Sequence, residues 1–172
     1  MTRRIVTGNN ADGKAYFVSD GPSPTRLDTG MTISEQFWID DPAKPDPSGT
    51  TDPVDVEILP LHPPANGSCF RIVTFQPEGH TPEISTEELA KNRSRGDAGG
   101  VFEEDNPGMH TTRTIDYAIV LTGEIYLKLD EGEERLRAGD IVVQRATRHG
   151  WYNRGNEPCA IAFVLIDSAN YR

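Results

Sequence analysis

Apolar and polar residues alternate with a period of two over short stretches along much of the chain. The stretch from Met109 to Glu124, M-H-T-T-R-T-I-D-Y-A-I-V-L-T-G-E, begins with polar side chains at every second position. These positions are His110, Thr112, Thr114 and Asp116. Because successive side chains of a β-strand point to opposite faces, this spacing predicts a strand with one polar row facing inward. Imidazole, hydroxyl and carboxylate groups on such a face are typical of a small-molecule site inside a β-barrel.

A second stretch, Gly139 to Asn153, supplies a later strand and another imidazole. It reads G-D-I-V-V-Q-R-A-T-R-H-G-W-Y-N and contains His149 near its end. Alternation places Trp151 on the same face as His149, as a packing aromatic of the core or the barrel mouth. We expect Gln144 and Trp151 to line a substrate pocket together with the two threonines of the first stretch.

Further strands are predicted at intervals of about eight to twelve residues, which favours an all-β sandwich or barrel. The candidates are Cys69 to Phe75, Ile125 to Leu129, Ile141 to Gln144 and the apolar run Pro158 to Ile166. In the first of these, Arg71 has two interpretations. It is either an exposed strand residue, which its charge favours, or a barrel-lining cation that binds an anionic substrate.

The N-terminal part, residues 1–60, contains only short strand-like pieces separated by turns, and is predicted to form an arm. Residues 40–53 carry four prolines and no periodicity, so they are predicted to be an exposed loop or a partner-contacting strap. One short helix is predicted near residues 85–93, because Ser85 is followed three residues later by Glu88 and the segment ends before Gly96. Its polarity places it on the surface or over a barrel mouth.

The length of 172 residues predicts one domain, residues 1–172. A formal charge of −10, a pI near 4.8 and a mean hydropathy of −0.54 work against binding nucleic acid or an anionic membrane. The opening M-T-R-R-I-V-T-G has no apolar signal segment, so we expect a cytoplasmic protein. Cys69 and Cys159 lie in apolar runs and are expected to be buried, while their pairing stays open.

The first stretch resembles motif one of the cupin superfamily, G-x5-H-x-H-x(3,4)-E-x6-G. His110 takes the first His position, and Asp116 takes the Glu position with six residues before Gly123. Thr112 stands where the family has its second His. The resemblance covers residues 100–166 well and the N-terminal arm loosely.

The second stretch resembles motif two, G-x5-P-x-G-x2-H-x3-N. Gly139 opens the strand and the His149-x3-Asn153 pair is intact. Gln144 and Ala146 replace the Pro and Gly of the motif, with one residue fewer in the spacing.

This resemblance implies a cupin-type double-stranded β-helix, a jelly-roll barrel, with the N-terminal arm pairing in a homodimer. It further implies one divalent metal, Fe, Zn, Mn or Ni, bound by His110, Asp116 and His149, and no organic cofactor. In a metal-free alternative, His149 acts as general base or acid and Asp116 is the partner of His149 or of His110. In a third interpretation these polar groups only satisfy one another inside the barrel.

The function expected from the resemblance is that of a metal-dependent enzyme acting on a small carbonyl- or carboxylate-bearing molecule. Dioxygenase, isomerase and lyase reactions all stay open, because the fold hosts each of them. The alternative is a metal-free barrel that binds a small molecule without catalysis.

Overall fold

The computed structural model describes residues 1–46 and 51–168, which form thirteen strands and one helix. The strands are β1 (Arg3–Asn9), β2 (Ala15–Pro22), β3 (Arg26–Asp28), β4 (Thr32–Asp40), β5 (Leu59–Pro60), β6 (Ser68–Phe75), β7 (Gly96–Asp97), β8 (Thr114–Thr122), β9 (Glu124–Lys128), β10 (Glu133–Arg137), β11 (Ile141–Arg145), β12 (Gly150–Tyr152) and β13 (Cys159–Asp167). The helix is α1 (Thr86–Ser94).

Two antiparallel sheets enclose the interior. The larger has six strands in the order β11-β8-β13-β6-β4-β3, and the smaller has three in the order β10-β9-β12. The inward-facing residues of β8 and β13 pack against Ile125 of β9, which is fully buried. This arrangement confirms the expected all-β, jelly-roll class of fold.

The core residues come from alternate positions of the strands, as the period-two pattern requires. They are Cys69, Ala118, Val120, Ile125, Cys159, Ile161, Phe163 and Leu165. The predicted strand Ile125 to Leu129 ends one residue early, at Lys128. Leu129 therefore lies outside the strand and is partly exposed, before β10 begins.

The N-terminal segment contributes more than an arm. β1 and β2 pair only with each other as a hairpin, but β3 and β4 belong to the six-stranded sheet. β4 follows β6 along its whole length, from Thr32 opposite Phe75 to Asp40 opposite Ser68. Residues 42–46 of the Pro-rich segment are exposed as predicted, and residues 47–50 of that segment lie outside the described residues.

The predicted helix is confirmed. The Ser85 side chain accepts a hydrogen bond of 3.1 Å from the backbone N–H of Glu88, which is the expected N-cap. α1 buries none of its own residues and contacts β3 and β7. No helix among residues 1–46 and 51–168 is long and apolar enough to cross a membrane.

Cys69 and Cys159 are both buried and both free. The register of β6 and β13 places Cys69 opposite Leu165 and Cys159 opposite Phe75, at the two ends of the pairing. The two Cα atoms of a disulfide must lie within about 7 Å of each other, so these cysteines, at opposite ends of the pairing, cannot form one.

The face of the larger sheet that points away from the core is also apolar. Cross-strand partners Tyr117 and Val143, and Ile119 and Ile141, are exposed on it, with Ile141 69% exposed. Phe70 of β6 and Leu121 of β8 continue the same face. We refer to these six residues as the outer face.

Candidate functional site

His110 and His149 are brought together by the strand ends that precede β8 and β12. They form an antiparallel bridge in which each backbone N–H donates to the carbonyl of the other at 2.9 Å. Directly opposed residues of such a pair project their side chains to the same face. The two imidazole rings therefore lie side by side, with their centroids 4.3 Å apart and their planes tilted by 51°.

Both imidazoles have a fixed tautomer. Nδ1 of His110 lies 3.1 Å from the carbonyl oxygen of Gly108, and Nδ1 of His149 lies 2.9 Å from that of Thr147. Because a carbonyl oxygen can only accept, each Nδ1 carries the proton and each neutral ring presents Nε2 as a lone pair.

Burial keeps both rings neutral. Burial, and after it the neighbouring His110, together lower the pKa of His149 to about 4. The pKa of His110 is also lowered by burial, against a smaller opposing effect of its hydrogen bond to Gly108. At neutral pH both imidazoles are therefore uncharged, with a lone pair on each Nε2.

Two aromatic side chains pack directly against the imidazole rings. Phe102 lies 4.6 Å from the His110 ring, centroid to centroid, and Trp151 meets the His149 ring edge-on at 6.1 Å. Trp151 in turn packs edge-on against Phe163 at 5.5 Å. The predicted placement of Trp151 on the face of His149 agrees with this contact.

Asp116 lies in β8, opposite Gln144 of β11 and Leu165 of β13. It is 5% exposed, and its Oδ1 atom is buried with no hydrogen-bond partner among the described residues. Burial raises the pKa of Asp116 to about 6, while the Thr114 hydroxyl and the charge of Arg71 act in the opposite direction. A carboxylate in this state binds a proton readily near neutral pH.

Arg71 corrects the favoured expectation, because it is 4% exposed and faces the interior. It lies opposite Phe163 of β13 and Gln36 of β4, so neighbours on both sides cover it. Sequence alternation placed it with Val73 and Phe75 but could not show which face of β6 is covered.

The groups surround a cavity with a volume of about 550 Å³. Five of the predicted residues around His149 contribute to its wall: Arg71, His110, Thr112, Asp116 and Trp151. Apolar and aromatic residues form much of the remainder: Leu61, Val73, Phe75, Phe102, Phe163 and Leu165. Polar groups at a few points of a largely apolar wall are typical of a small-molecule site.

Thr114 and Gln144 are buried but lie outside the cavity wall, in contrast to the expected pocket set. The Thr114 hydroxyl donates a hydrogen bond of 2.8 Å to that of Thr112. The Gln144 amide donates to the side chain and backbone of Thr147, whose carbonyl holds His149. Both residues support the site rather than face the cavity.

The residues fit a metal only in part. Nε2 of His110 and of His149 are available as ligands, but the described residues contain no group of three His, Cys, Asp or Glu side chains that could hold a metal ion. His110, Asp116 and His149 share a cavity without forming the expected three-ligand set. Thr112, in the position of the missing imidazole, uses its oxygen to accept from Thr114.

Sequence reasoning missed Phe102 and Phe163 as site residues. Alternation along β13 could have identified Phe163, because it points to the same side as the buried Ile161 and Leu165. Phe102 joins the site through an isolated bridge to His110, for which no local pattern exists.

These features define a class of protein, a small jelly-roll barrel with a largely apolar cavity that carries a few polar groups. The model of the cupin domain family matches residues 101–166. The chain belongs to the cupin superfamily.

Relatives support this assignment over nearly the whole chain. A cupin-domain-containing oxidoreductase of Hypocrea virens is 29% identical over 96% of this chain and 76% of its own length. The phomopsin biosynthesis cluster protein C′ of Diaporthe leptostromiformis is 31% identical over 96% of this chain and 78% of its own. Among solved structures, the cupin domain of Schizosaccharomyces pombe Cnp3 aligns with a TM-score of 0.51 and 10% identity, covering 99% of this chain and 90% of that one. This last likeness concerns the fold alone.

Proposed function

We propose that this protein is a cupin enzyme that transfers a proton on a small carbonyl- or carboxylate-bearing molecule bound in the cavity. The observation that carries the proposal is the buried, unpaired Oδ1 of Asp116 in the same cavity as two neutral imidazoles. A buried polar atom without a partner is costly to folding, which is explained if a ligand supplies the partner. The similar proteins named as an oxidoreductase and as a biosynthesis cluster protein favour an enzyme over a non-catalytic binding barrel.

Asp116 is the base in the proposed reaction. Its carboxylate takes a proton from the carbon next to a substrate carbonyl, and the C–H electron pair moves onto the carbonyl oxygen to give an enolate. The protonated Asp116 then returns a proton either to the same carbon, which exchanges its hydrogen, or to the enolate oxygen, which gives the enol tautomer of the substrate. No electron leaves the substrate, so the reaction needs no oxidant.

His149 holds the substrate in the proposed complex. Its Nε2 lone pair accepts a hydrogen bond or a proton from a substrate hydroxyl, because Nδ1 is committed to the Thr147 carbonyl. His110 presents an equivalent lone pair beside it.

Exchange of substrate hydrogen for solvent deuterium tests the proposal without knowledge of the natural substrate. A panel of 2-oxo acids, 3-oxo acids and 1,3-diketones is incubated in D₂O and followed by NMR. We expect exchange into at least one member, reduced by about a hundredfold or more in Asp116→Asn and clearly reduced in His149→Gln. Asp20→Asn, an exposed carboxylate of the β2 strand that pairs with Arg3, is the matched control and keeps the wild-type rate. Equal exchange in wild type and Asp116→Asn contradicts the proposal.

Binding of a divalent metal is the second candidate, because both Nδ1 atoms are anchored to carbonyls and both Nε2 atoms are available. Fe²⁺, Zn²⁺, Mn²⁺ or Ni²⁺ would then be held by His110 and His149. Addition of each ion to chelator-treated protein should raise the melting temperature of wild type but not of His110→Ala or His149→Ala. A shift that survives both substitutions, or no shift with any ion, eliminates this candidate.

We also propose that the enzyme is a homodimer joined through the outer face. Six large apolar side chains, each about half exposed, present on the order of 500 Å² of apolar surface, against about 800 Å² per partner in a standard interface. None of the six is charged, whereas each copy carries a formal charge of −10 that opposes contact elsewhere. A second copy of the same chain is therefore the partner that this surface suits.

A further inference from the structure

Arg71 is a buried cation that makes no direct ion pair with a carboxylate, although its charge and that of Asp116 attract each other at longer range. Its Nη2 donates to the backbone carbonyls of Pro60 and Leu61, at 2.9 and 3.1 Å, and lies 2.9 Å from the sulfur of Cys69. Among residues 1–46 and 51–168, no carboxylate lies within ion-pair distance of it. Taking a charge out of water is expensive unless an opposite charge and hydrogen bonds compensate for it.

The second buried guanidinium of the described chain, that of Arg4, is treated differently. It is 8% exposed, forms an ion pair with Asp52 through two nitrogens and donates to the carbonyl of Phe37. Arg4 lies outside the cavity that contains His149. The fold therefore pairs the buried arginine far from the site directly with a carboxylate, whereas the arginine at the site has only the longer-range charge of Asp116.

Arg71 keeps hydrogen-bonding capacity that the described residues do not use. Its Nε, like that of Arg4, is buried and has no partner among them, but only Arg71 combines this with a place in the cavity wall and no direct ion pair. The planar guanidinium edge fits a carboxylate through parallel hydrogen bonds, and such pairs are among the strongest in proteins. Arg71 lines the cavity, where a ligand can reach it.

The rest of the cavity limits the ligand further. Phe75, Trp151 and Phe163 offer aromatic and apolar surface for a hydrophobic body. Asp116 stands in the same cavity, and its negative charge opposes a second anionic group on the ligand. A ligand with one negative charge and an apolar body suits both features.

We propose that Arg71 binds the carboxylate of the substrate, and that the substrate is a monocarboxylic acid with an aromatic or branched aliphatic body. The word substrate rests on the proposed function, whereas the binding preference holds for a non-catalytic barrel as well. Arg71 is then the residue that selects the charge of the ligand.

Calorimetric titration with phenylacetate and phenylacetamide tests this proposal, since the two probes share a shape and differ in charge. Wild type should bind phenylacetate at least about tenfold more tightly than the amide. It should also prefer phenylacetate to phenylmalonate, which carries a second carboxylate near Asp116. In Arg71→Gln the affinity for phenylacetate should fall to that of the amide, while the affinity for the amide stays within about twofold of wild type.

Two further variants separate recognition from a purely structural role. Arg71→Lys keeps the charge but not the planar edge, so a reduced preference for phenylacetate should survive. Arg4→Gln removes a buried guanidinium outside the cavity, so it should lower the melting temperature and leave the preference unchanged.

Equal affinity of wild type for phenylacetate and phenylacetamide, or no heat with phenylacetate up to about 10 mM, overturns the proposal. So does an equal loss of both probes in folded Arg71→Gln, which is the result of a structural role. Should Arg71→Gln fail to fold, loss of the entire preference in Arg4→Gln would overturn it, as would Arg71→Lys binding both probes as wild type does. The deuterium-exchange experiment tests the proposed reaction and these titrations test the charge preference, so either result can be negative without the other. A charge preference without exchange indicates a binding barrel, and exchange without a charge preference indicates an enzyme for neutral molecules.

Discussion

The imidazoles of His110 and His149 lie 4.3 Å apart because their own backbones pair, and the His110 ring therefore influences the charge state of His149. The pKa of His149 is lowered first by burial and then by His110. Replacing His110 with Ala removes the neighbouring imidazole and admits water to His149, so the effect of burial and the effect of His110 on the pKa both become smaller. The pKa of His149 should rise from about 4 toward its ordinary value, as measured by NMR titration of the imidazole protons.

Phe102→Leu is the control for this titration, since it changes the packing against His110 without removing an imidazole. It should leave the pKa of His149 closer to wild type than His110→Ala does. A titration midpoint for His149 that is the same in His110→Ala and wild type would show that the pairing has no electrostatic effect.

Asp116→Asn should stabilise the protein at neutral pH. The folded pKa of Asp116, about 6, lies above its unfolded value, so ionisation costs folding free energy once the pH exceeds the unfolded pKa. A shift of this size corresponds to about 3 kcal/mol at pH 7, and most of the gain should be lost near pH 4, where the carboxyl is protonated in the folded state. Urea denaturation at both pH values, in the presence of a chelator, measures the difference.

Stability should change with pH in the opposite direction because of His149, whose folded pKa is below its unfolded value. Its contribution to stability is present above the unfolded pKa and is lost as the pH falls toward 4. Denaturation of His149→Gln across the same range separates the two residues. A lower free energy of unfolding for Asp116→Asn than for wild type at pH 7 would contradict the assignment of an unpaired carboxylate.

A charge on the outer face should dissociate the dimer. Ile141→Glu places a carboxylate on each copy where the most exposed of the six side chains packs in the proposed dimer. Sedimentation velocity should give the mass of two chains for wild type and of one chain for the variant. Lys91→Glu on the exposed helix α1 is the control and should remain dimeric. A wild type that sediments as a single chain at micromolar concentration excludes the proposed dimer.

Gly123 should tolerate no side chain without a loss of stability. Its φ is +72°, and an added Cβ would lie 2.7 Å from the carbonyl oxygen of Pro158. Gly123→Ala should therefore cost about 2–4 kcal/mol, from backbone strain and a backbone clash together. Gly132 has a φ of +102° with open space around it, so Gly132→Ala should cost only about 1 kcal/mol. Thermal melts of both variants test this, and equal melting temperatures would mean that the clash is relieved at no cost.

Local patterns in the sequence were sufficient for much of the fold. The polar row of β8, the N-cap at Ser85 and the turn at Gly123 each depend on residues close to one another in the chain. The cupin motifs added the pairing of His110 with His149, which are far apart in sequence. These features were predicted because a short pattern fixes their geometry.

The chemistry of the site depends on contacts that no short pattern contains. Arg71 is buried because β4 and β13 cover β6 on both sides, and a strand sequence does not reveal its neighbours. The metal prediction relied on Asp116 meeting the two imidazoles as Glu does in the motif, but the described residues form no three-ligand group. Thr114 and Gln144 were placed correctly inside the barrel, yet their hydrogen bonds to neighbouring threonines keep them out of the cavity wall.

The reactivity of the two free cysteines toward alkylating reagents can be used to measure local opening of the barrel. Burial raises the pKa of Cys159 to about 11, and neither sulfur is accessible in the closed fold. Cys69 and Cys159 mark opposite ends of the β6–β13 pairing. The rate at which an alkylating reagent modifies each of them therefore reports how often that end of the barrel opens, and ligand occupancy of the cavity between them becomes measurable as protection from labelling.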